Sequence, residues 1–319
     1  MNRESRQNML KNYKDLYRKH IGDKFNKIII SYEPQSGEYT YKGFSHHVEP
    51  NALDRISDII IDDLIFYAFT EDEILKKNQN TNILDDLRTA AKYAYIQRLP
   101  KRENAKTDGT IGEVLLDIFL QLESDNTQKL IARAKHTEIN NKKEITGYDT
   151  LYFSKNNNEI SLWLGQAKAG EKTYCKRSII DDLQEKYKKE YFLNTAFYIA
   201  DRRDTNELDG LLDGINEICK NAIINKWDID KKFWALMKHL LENNVTIKIP
   251  CLLTYSKDIY NDEQNIKKYI DKEIYDIISE FDDKKFMIDL NLNYEIIFYI
   301  LPVKDVDSIR EKIVEFKKE

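Results

Sequence analysis

The chain is sparing with the residues that break a fold or staple it. Its 319 residues hold only 5 Pro, 10 Gly and 3 Cys. No Gly/Ser-rich or Pro-rich run occurs, so nothing reads as a flexible linker between domains. Cys175, Cys219 and Cys251 are isolated, odd in number and never spaced Cys-x-x-Cys. That excludes a disulfide framework and a cysteine zinc site, and leaves each as a small buried hydrophobe. Long apolar runs are also lacking. The richest stretch, Ile56 to Phe69, is broken by Asp58, Asp62 and Asp63, so no membrane span is expected. The segment Met1 to His20 is polar and lacks the apolar centre of a signal peptide, which makes a cytoplasmic location the expectation. Net charge is small too, at -5. This neither announces nor excludes a nucleic-acid partner, because an enzyme that cuts nucleic acid needs a carboxylate cluster and only local basic surface.

What is present is the composition of a globular protein, 41% hydrophobic and 33% charged. Residues 1–105 read as a mainly helical region, a candidate for partner binding, and residues 106–319 as the domain that carries chemistry. In the first part the periodicity predicts helices over Met9–His20, Asn51–Phe69 and Asn82–Arg98, the last stopping before Pro100. A hairpin is expected over Lys27–Tyr41, turning at Ser36-Gly37. From about Thr107 the pattern changes. A helix follows Thr110 as N-cap, strands are expected over Leu130–Ile139, Glu144–Ser154 and Glu159–Lys168, then a helix over Arg177–Tyr191 and a strand over Thr195–Ala200. Helices over Glu207–Asn225 and Lys231–Asn243, strands over Val245–Tyr255 and Tyr294–Leu301, and a helix from Val306 complete the chain. The order implies an α/β fold of α+β type with a mixed sheet.

Within this core, four side chains fall at positions suited to one site. Gln166 and Lys168 lie two apart on a strand and so project to the same side. The turn at Asn156-Asn157-Asn158 makes that strand the antiparallel neighbour of the one bearing Asp149, which then lies across from the end of Gln166-Ala167-Lys168. Glu113, on the preceding helix, joins them if the helix packs on the sheet. Cutting a phosphodiester calls for a divalent cation that neutralises the phosphate and generates hydroxide. Mg²⁺ takes oxygen ligands, typically one or two carboxylates with several waters kept. Glu113, Asp149, the Gln166 side-chain oxygen and the Ala167 carbonyl are the candidate ligands, with Mn²⁺ as a substitute ion. Lys168 is the candidate for orienting or deprotonating the attacking water and for stabilising developing charge.

Asp, then after a turn Gln-x-Lys, with an upstream helical Glu, resembles the PD-(D/E)xK nuclease superfamily and its restriction-endonuclease-like core. Around these residues, Gly112-Glu113-Val114-Leu115-Leu116, Gly147-Tyr148-Asp149 and Leu162-Trp163-Leu164-Gly165-Gln166-Ala167-Lys168 resemble the HamA family, the nuclease subunits of the Hachiman anti-phage system. Ile249–Tyr255 and Ile297–Pro302 are similar to it as well. The resemblance implies a metal-dependent DNase, an effector held in check by a superfamily-2 helicase partner, HamB, that senses aberrant DNA. Many members carry Glu where this chain has Gln166; the amide keeps an oxygen but loses a charge, which weakens Mg²⁺ binding.

Simpler readings stand beside these. Asp149 on a solvated strand face and Lys168 as a surface lysine need no chemistry, and the bare spacing of the motif arises by chance. A Glu at a helix start often only complements the dipole. His136, on the strand before Asp149, is a candidate phosphate contact or a structural histidine. Lys172, Lys176 and Arg177 are candidate DNA contacts or solvated charges. His46-His47 reads as a loop pair without metal-ligand spacing. Two alternatives to a defence nuclease remain at this point: a catalytically silent DNA-binding or regulatory subunit, and a stand-alone restriction endonuclease.

Overall fold

The computed structural model describes residues 3–99, 109–132, 147–156, 158–261, 263–284, 286, 288 and 290–319. Helix α1 (Arg3–Tyr17) runs into a π-helical turn at Arg18–Gly22 and the short α2 (Asp23–Phe25). Strands β1 (Ile29–Ser31), β2 (Gln35–Ser36) and β3 (Thr40–His46) come next, then α3 (Ala52–Ala68), α4 (Glu71–Thr81) and α5 (Leu87–Gln97). The part that carries the motif comprises α6 (Thr110–Glu123), β4 (Thr127–Lys129), β5 (Thr150–Asn156), β6 (Glu159–Gly170) and α7 (Lys172–Glu185). Helices α8 (Lys189–Arg202), α9 (Asp209–Ile224) and α10 (Ile229–Glu242) lead to β7 (Val245–Ser256), α11 (Ile266–Asp282), β8 (Tyr294–Val303) and α12 (Val306–Lys318).

The expected α/β class with a mixed sheet is what the structure shows. The strand order is β1-β3-β8-β7-β6-β5-β4, with β2 paired to β3. The meander β4–β5–β6 is antiparallel, whereas β6, β7, β8 and β3 run parallel. Side chains alternate across this sheet into two apolar layers. Leu162, Leu164, Ile247, Ile249, Phe298 and Ile300 pack with α7 to α11. Trp163, Ala167, Leu252, Tyr299 and Leu301 pack with α1, α3, α5, α6 and α12. Central strands covered on both faces read as near-continuous apolar runs, as β7 and β8 do. Residues of the first hundred thus share a core with α6 and the sheet, and β3 extends the sheet beside β8.

Several expectations need correcting. Thr195–Ala200 is not a strand; it is the second half of α8, whose buried Phe192, Thr195 and Ile199 recur at helical spacing. The single helix expected over Arg177–Tyr191 is two, broken after Glu185. Gly109, not Thr110, is the N-cap of α6. The first meander strand is the short β4, and residues 133–139 of the strand expected there lie outside the described residues. Among the described residues, no helix is long and apolar enough to cross a membrane.

Candidate active site

Strand β6 supplies the motif and its neighbours fix where the motif points. Thr150 pairs with Gly165 and Asn156 with Glu159, which sets Asp149 at the mouth of the β5–β6 ladder. The Asp149 N–H donates to the Gly165 carbonyl at 2.8 Å. Its carboxylate folds back on the same strand, and Oδ2 accepts from the Ala167 N–H at 2.7 Å. Ala167 therefore meets Asp149 through its N–H. Two glycines permit these approaches. A Cβ on Gly112 would stand 3.3 Å from the Ala167 Cβ, so its absence lets α6 lie against β6. A Cβ on Gly147 would run into the Tyr191 hydroxyl and crowd the Lys186 Cε, so a larger residue there would force the Tyr191 side chain of α8 to shift.

Glu113 sits in the first turn of α6, buried, and its Oε2 accepts from the Tyr67 phenol at 2.7 Å. Its charge reaches Asp149. Burial first, and the Glu113 carboxylate second, push the Asp149 carboxyl up to about 6, against Lys186, Lys168 and the Ala167 N–H. Lys168 faces the α7 side of the sheet and pairs with Asp182 Oδ2 at 2.6 Å. Burial works to lower its pKa, but the field of Asp149 and the Asp182 hydrogen bond outweigh it, so Lys168 is held above the ordinary lysine range. Held as an ammonium against Asp182, it is suited to stabilising negative charge.

Gln166 is completely buried. Its Nε2 donates to the Gly147 carbonyl at 3.1 Å, and its Oε1 accepts from the Lys186 Nζ at 2.5 Å. Lys186 also pairs with Asp182 at 3.1 Å, so one carboxylate takes both lysines. Lys186, Asp182 and Tyr67 were not singled out in the sequence. The Asp182–Lys186 spacing of four on a helix was the one local signal, and such pairs are common on solvated faces.

Lys172 pairs with Glu273 at 2.6 Å, and Lys176 pairs with Glu280, both carboxylates on α11. Arg177 is exposed. His136 lies outside the described residues. His46 lies on β3 and not in a loop, stacked on Tyr260 at 3.6 Å, its Nε2 accepting from the Lys304 N–H at 3.1 Å and its Nδ1 2.8 Å from the His47 carbonyl. Those partners define a neutral structural imidazole.

Two crowded carboxylates whose charges oppose each other match the donor chemistry of a hard divalent cation. Asp149 and Glu113 fit such an ion, and Gln166 fits less well because its oxygen already receives an ammonium. Among the described residues, no group of three or more His, Cys, Asp or Glu side chains is placed to hold a metal.

No curated protein and no solved structure matches the chain. A family model does: HamA, over residues 9–316. That match covers nearly the whole sequence, and it includes every residue of the site just described. The chain belongs to the HamA family, and with it to the proteins of Hachiman anti-phage defence.

Proposed function

We propose that this chain is a divalent-metal-dependent nuclease of the PD-(D/E)xK type that cuts DNA. The observation that supports it is the meeting of Asp149 and Glu113 beside the Lys168 ammonium at the end of β6. Asp149 and Glu113 would hold Mg²⁺, with Mn²⁺ as substitute, and the ion would supply Lewis acidity and a hydroxide at neutral pH. Lys168 orients the phosphate and stabilises its growing negative charge in a partly water-excluded pocket. Tyr67 and the Ala167 N–H fix the two carboxylates. Lys172 and Lys176 become DNA contacts by exchanging Glu273 and Glu280 for phosphate oxygens. A superfamily-2 helicase is the partner in this reading, holding the nuclease until aberrant DNA is met. The test is cleavage of duplex and single-stranded DNA by the purified chain with Mg²⁺, alone and with that helicase. Asp149→Ala and Lys168→Ala should each abolish it, and full cleavage by either variant would sink the site.

A second reading has one observation in its favour, the Lys186 ammonium on the Gln166 oxygen. It makes the chain a DNA-binding or regulatory subunit that keeps the fold without catalysis. Millimolar Mg²⁺ binding with cutting separates the first reading from DNA binding without either.

A further inference from the structure

A fully buried primary amide is tolerated only when both of its ends are satisfied. Gln166 meets that condition in two opposite senses. It donates to the Gly147 carbonyl at 3.1 Å and accepts from Lys186 at 2.5 Å. An amide does both, whereas an ionised carboxylate can only accept. A carboxylate at 166 would accept from Lys186 but would face the Gly147 oxygen with no proton between them.

Lys186 grips the same stretch of chain by a second route. Its own carbonyl accepts from the Tyr148 phenol at 2.7 Å, and its Cε lies 3.2 Å from where a Gly147 Cβ would stand. Its Nζ shares Asp182 with Lys168, at 3.1 Å and 2.6 Å. Gly147 and Tyr148 are therefore both tied to one lysine, and Asp149 is the next residue.

We propose that Lys186 is a positioning residue of this centre, that Gln166 is the bridge through which it pins Gly147, two residues before Asp149, and that Gln166 is not a metal ligand. This rests on the nuclease reading above. It leaves Asp149 and Glu113 as the side chains for the cation, and it gives the neutral residue at 166 a structural reason. Lys186 and Lys168, both anchored on Asp182, then sit on the same side of Asp149 as a pair.

The test uses the full chain carrying Gln166→Ala, Lys186→Met, Lys186→Arg, or the first two together, each with its melting curve. Three quantities are measured: hydrogen exchange over residues 147–150, Mn²⁺ affinity by electron paramagnetic resonance titration, and single-turnover DNA cleavage at saturating Mn²⁺. The Asp149 amide, bonded to Gly165, is the reporter for exchange. The expected result is that Gln166→Ala and Lys186→Met each deprotect this segment and slow cleavage by about 10–100-fold. The double variant should be no slower than either single one, because both break one connection. Lys186→Arg should restore most of the rate, and Mn²⁺ affinity of Gln166→Ala should stay within about threefold. A loss of Mn²⁺ affinity of about tenfold in Gln166→Ala with exchange unchanged would overturn the proposal. So would Lys186→Met with exchange and cleavage as in the unmodified chain. If the unmodified chain neither binds Mn²⁺ nor cuts DNA, the nuclease reading fails, and exchange over 147–150 still decides whether Lys186 pins the segment.

Discussion

The Tyr67 phenol donates to Glu113 Oε2 at 2.7 Å, so the last turn of α3 holds the carboxylate that the first turn of α6 presents. Tyr67 is buried, and the bond joins a region far upstream of the motif to the site itself. Tyr67→Phe keeps the ring and removes only this donor. It should slow DNA cleavage by about tenfold at subsaturating Mg²⁺ and lower stability by about 1–2 kcal/mol, read from urea denaturation. An unchanged rate across a Mg²⁺ titration would show that Glu113 needs no such support.

Metal binding should be proton-coupled. Asp149 holds its proton up to about pH 6 because of burial and the Glu113 charge. Below that value a cation has to displace the proton, and above it the carboxylate is already free. Mn²⁺ affinity should therefore be flat above about pH 7 and fall as pH drops through 6, by about tenfold per unit once the proton is fully bound. Calorimetry in two buffers of different ionisation enthalpy would show the released proton.

Stability should depend strongly on one buried lysine. Lys129 and Asp117 are both buried and lie 3.6 Å apart, and Asp117 also accepts from Gln121 at 2.7 Å and from Tyr152. The Lys129 N–H donates to Glu71 at 2.9 Å. Lys129→Met would strand buried negative charge and should cost about 3–5 kcal/mol. Adding Asp117→Asn should recover part of that loss, which a double-mutant cycle in urea measures directly.

His46 should set part of the acid limb of the stability curve. Burial pushes its pKa down to about 4, so between the ordinary histidine value and 4 the unfolded chain binds a proton that the folded chain does not. The associated stability is complete above about pH 6.5 and is lost as pH falls through 4, by up to about 3 kcal/mol. His46→Gln keeps a side-chain acceptor for the Lys304 N–H and removes the titration, so its stability should be flatter over that window. Parallel pH-dependent melts of the two proteins check this.

The core of the site was readable because its logic is local. The Asn-rich turn sets β5 against β6, alternation sets Gln166 and Lys168 on one side, and the structure has Asp149 at the start of that ladder. Gly112 and Gly147 were visible as residues, although their reason is steric and lies in Ala167 and Tyr191. The failures are of another kind. Thr195–Ala200 is a six-residue apolar window that fits either period, and only its link to Phe192 decides for helix. Helices α4 and α11 went unread, the latter so charged that its buried Ile270, Ile274 and Ile277 hardly stand out. Lys186 on Gln166 and Tyr67 on Glu113 join residues 20 and 46 apart in sequence, and no periodicity reports such contacts.

The order of strands has a consequence for how the molecule comes into being. Strand β8, the last in sequence, lies inside the sheet between β7 and β3. Tyr41 is laid beside Phe298, so the first long strand waits for a partner more than two hundred residues downstream. A nascent chain cannot complete its sheet until that partner leaves the ribosome, and closing so long a loop is slow. Until then β7 presents an open, apolar edge, a template for pairing with another chain. The parallel pairing of β3 with β8 thus leaves the β7 edge open to other chains for the whole interval before β8 is made.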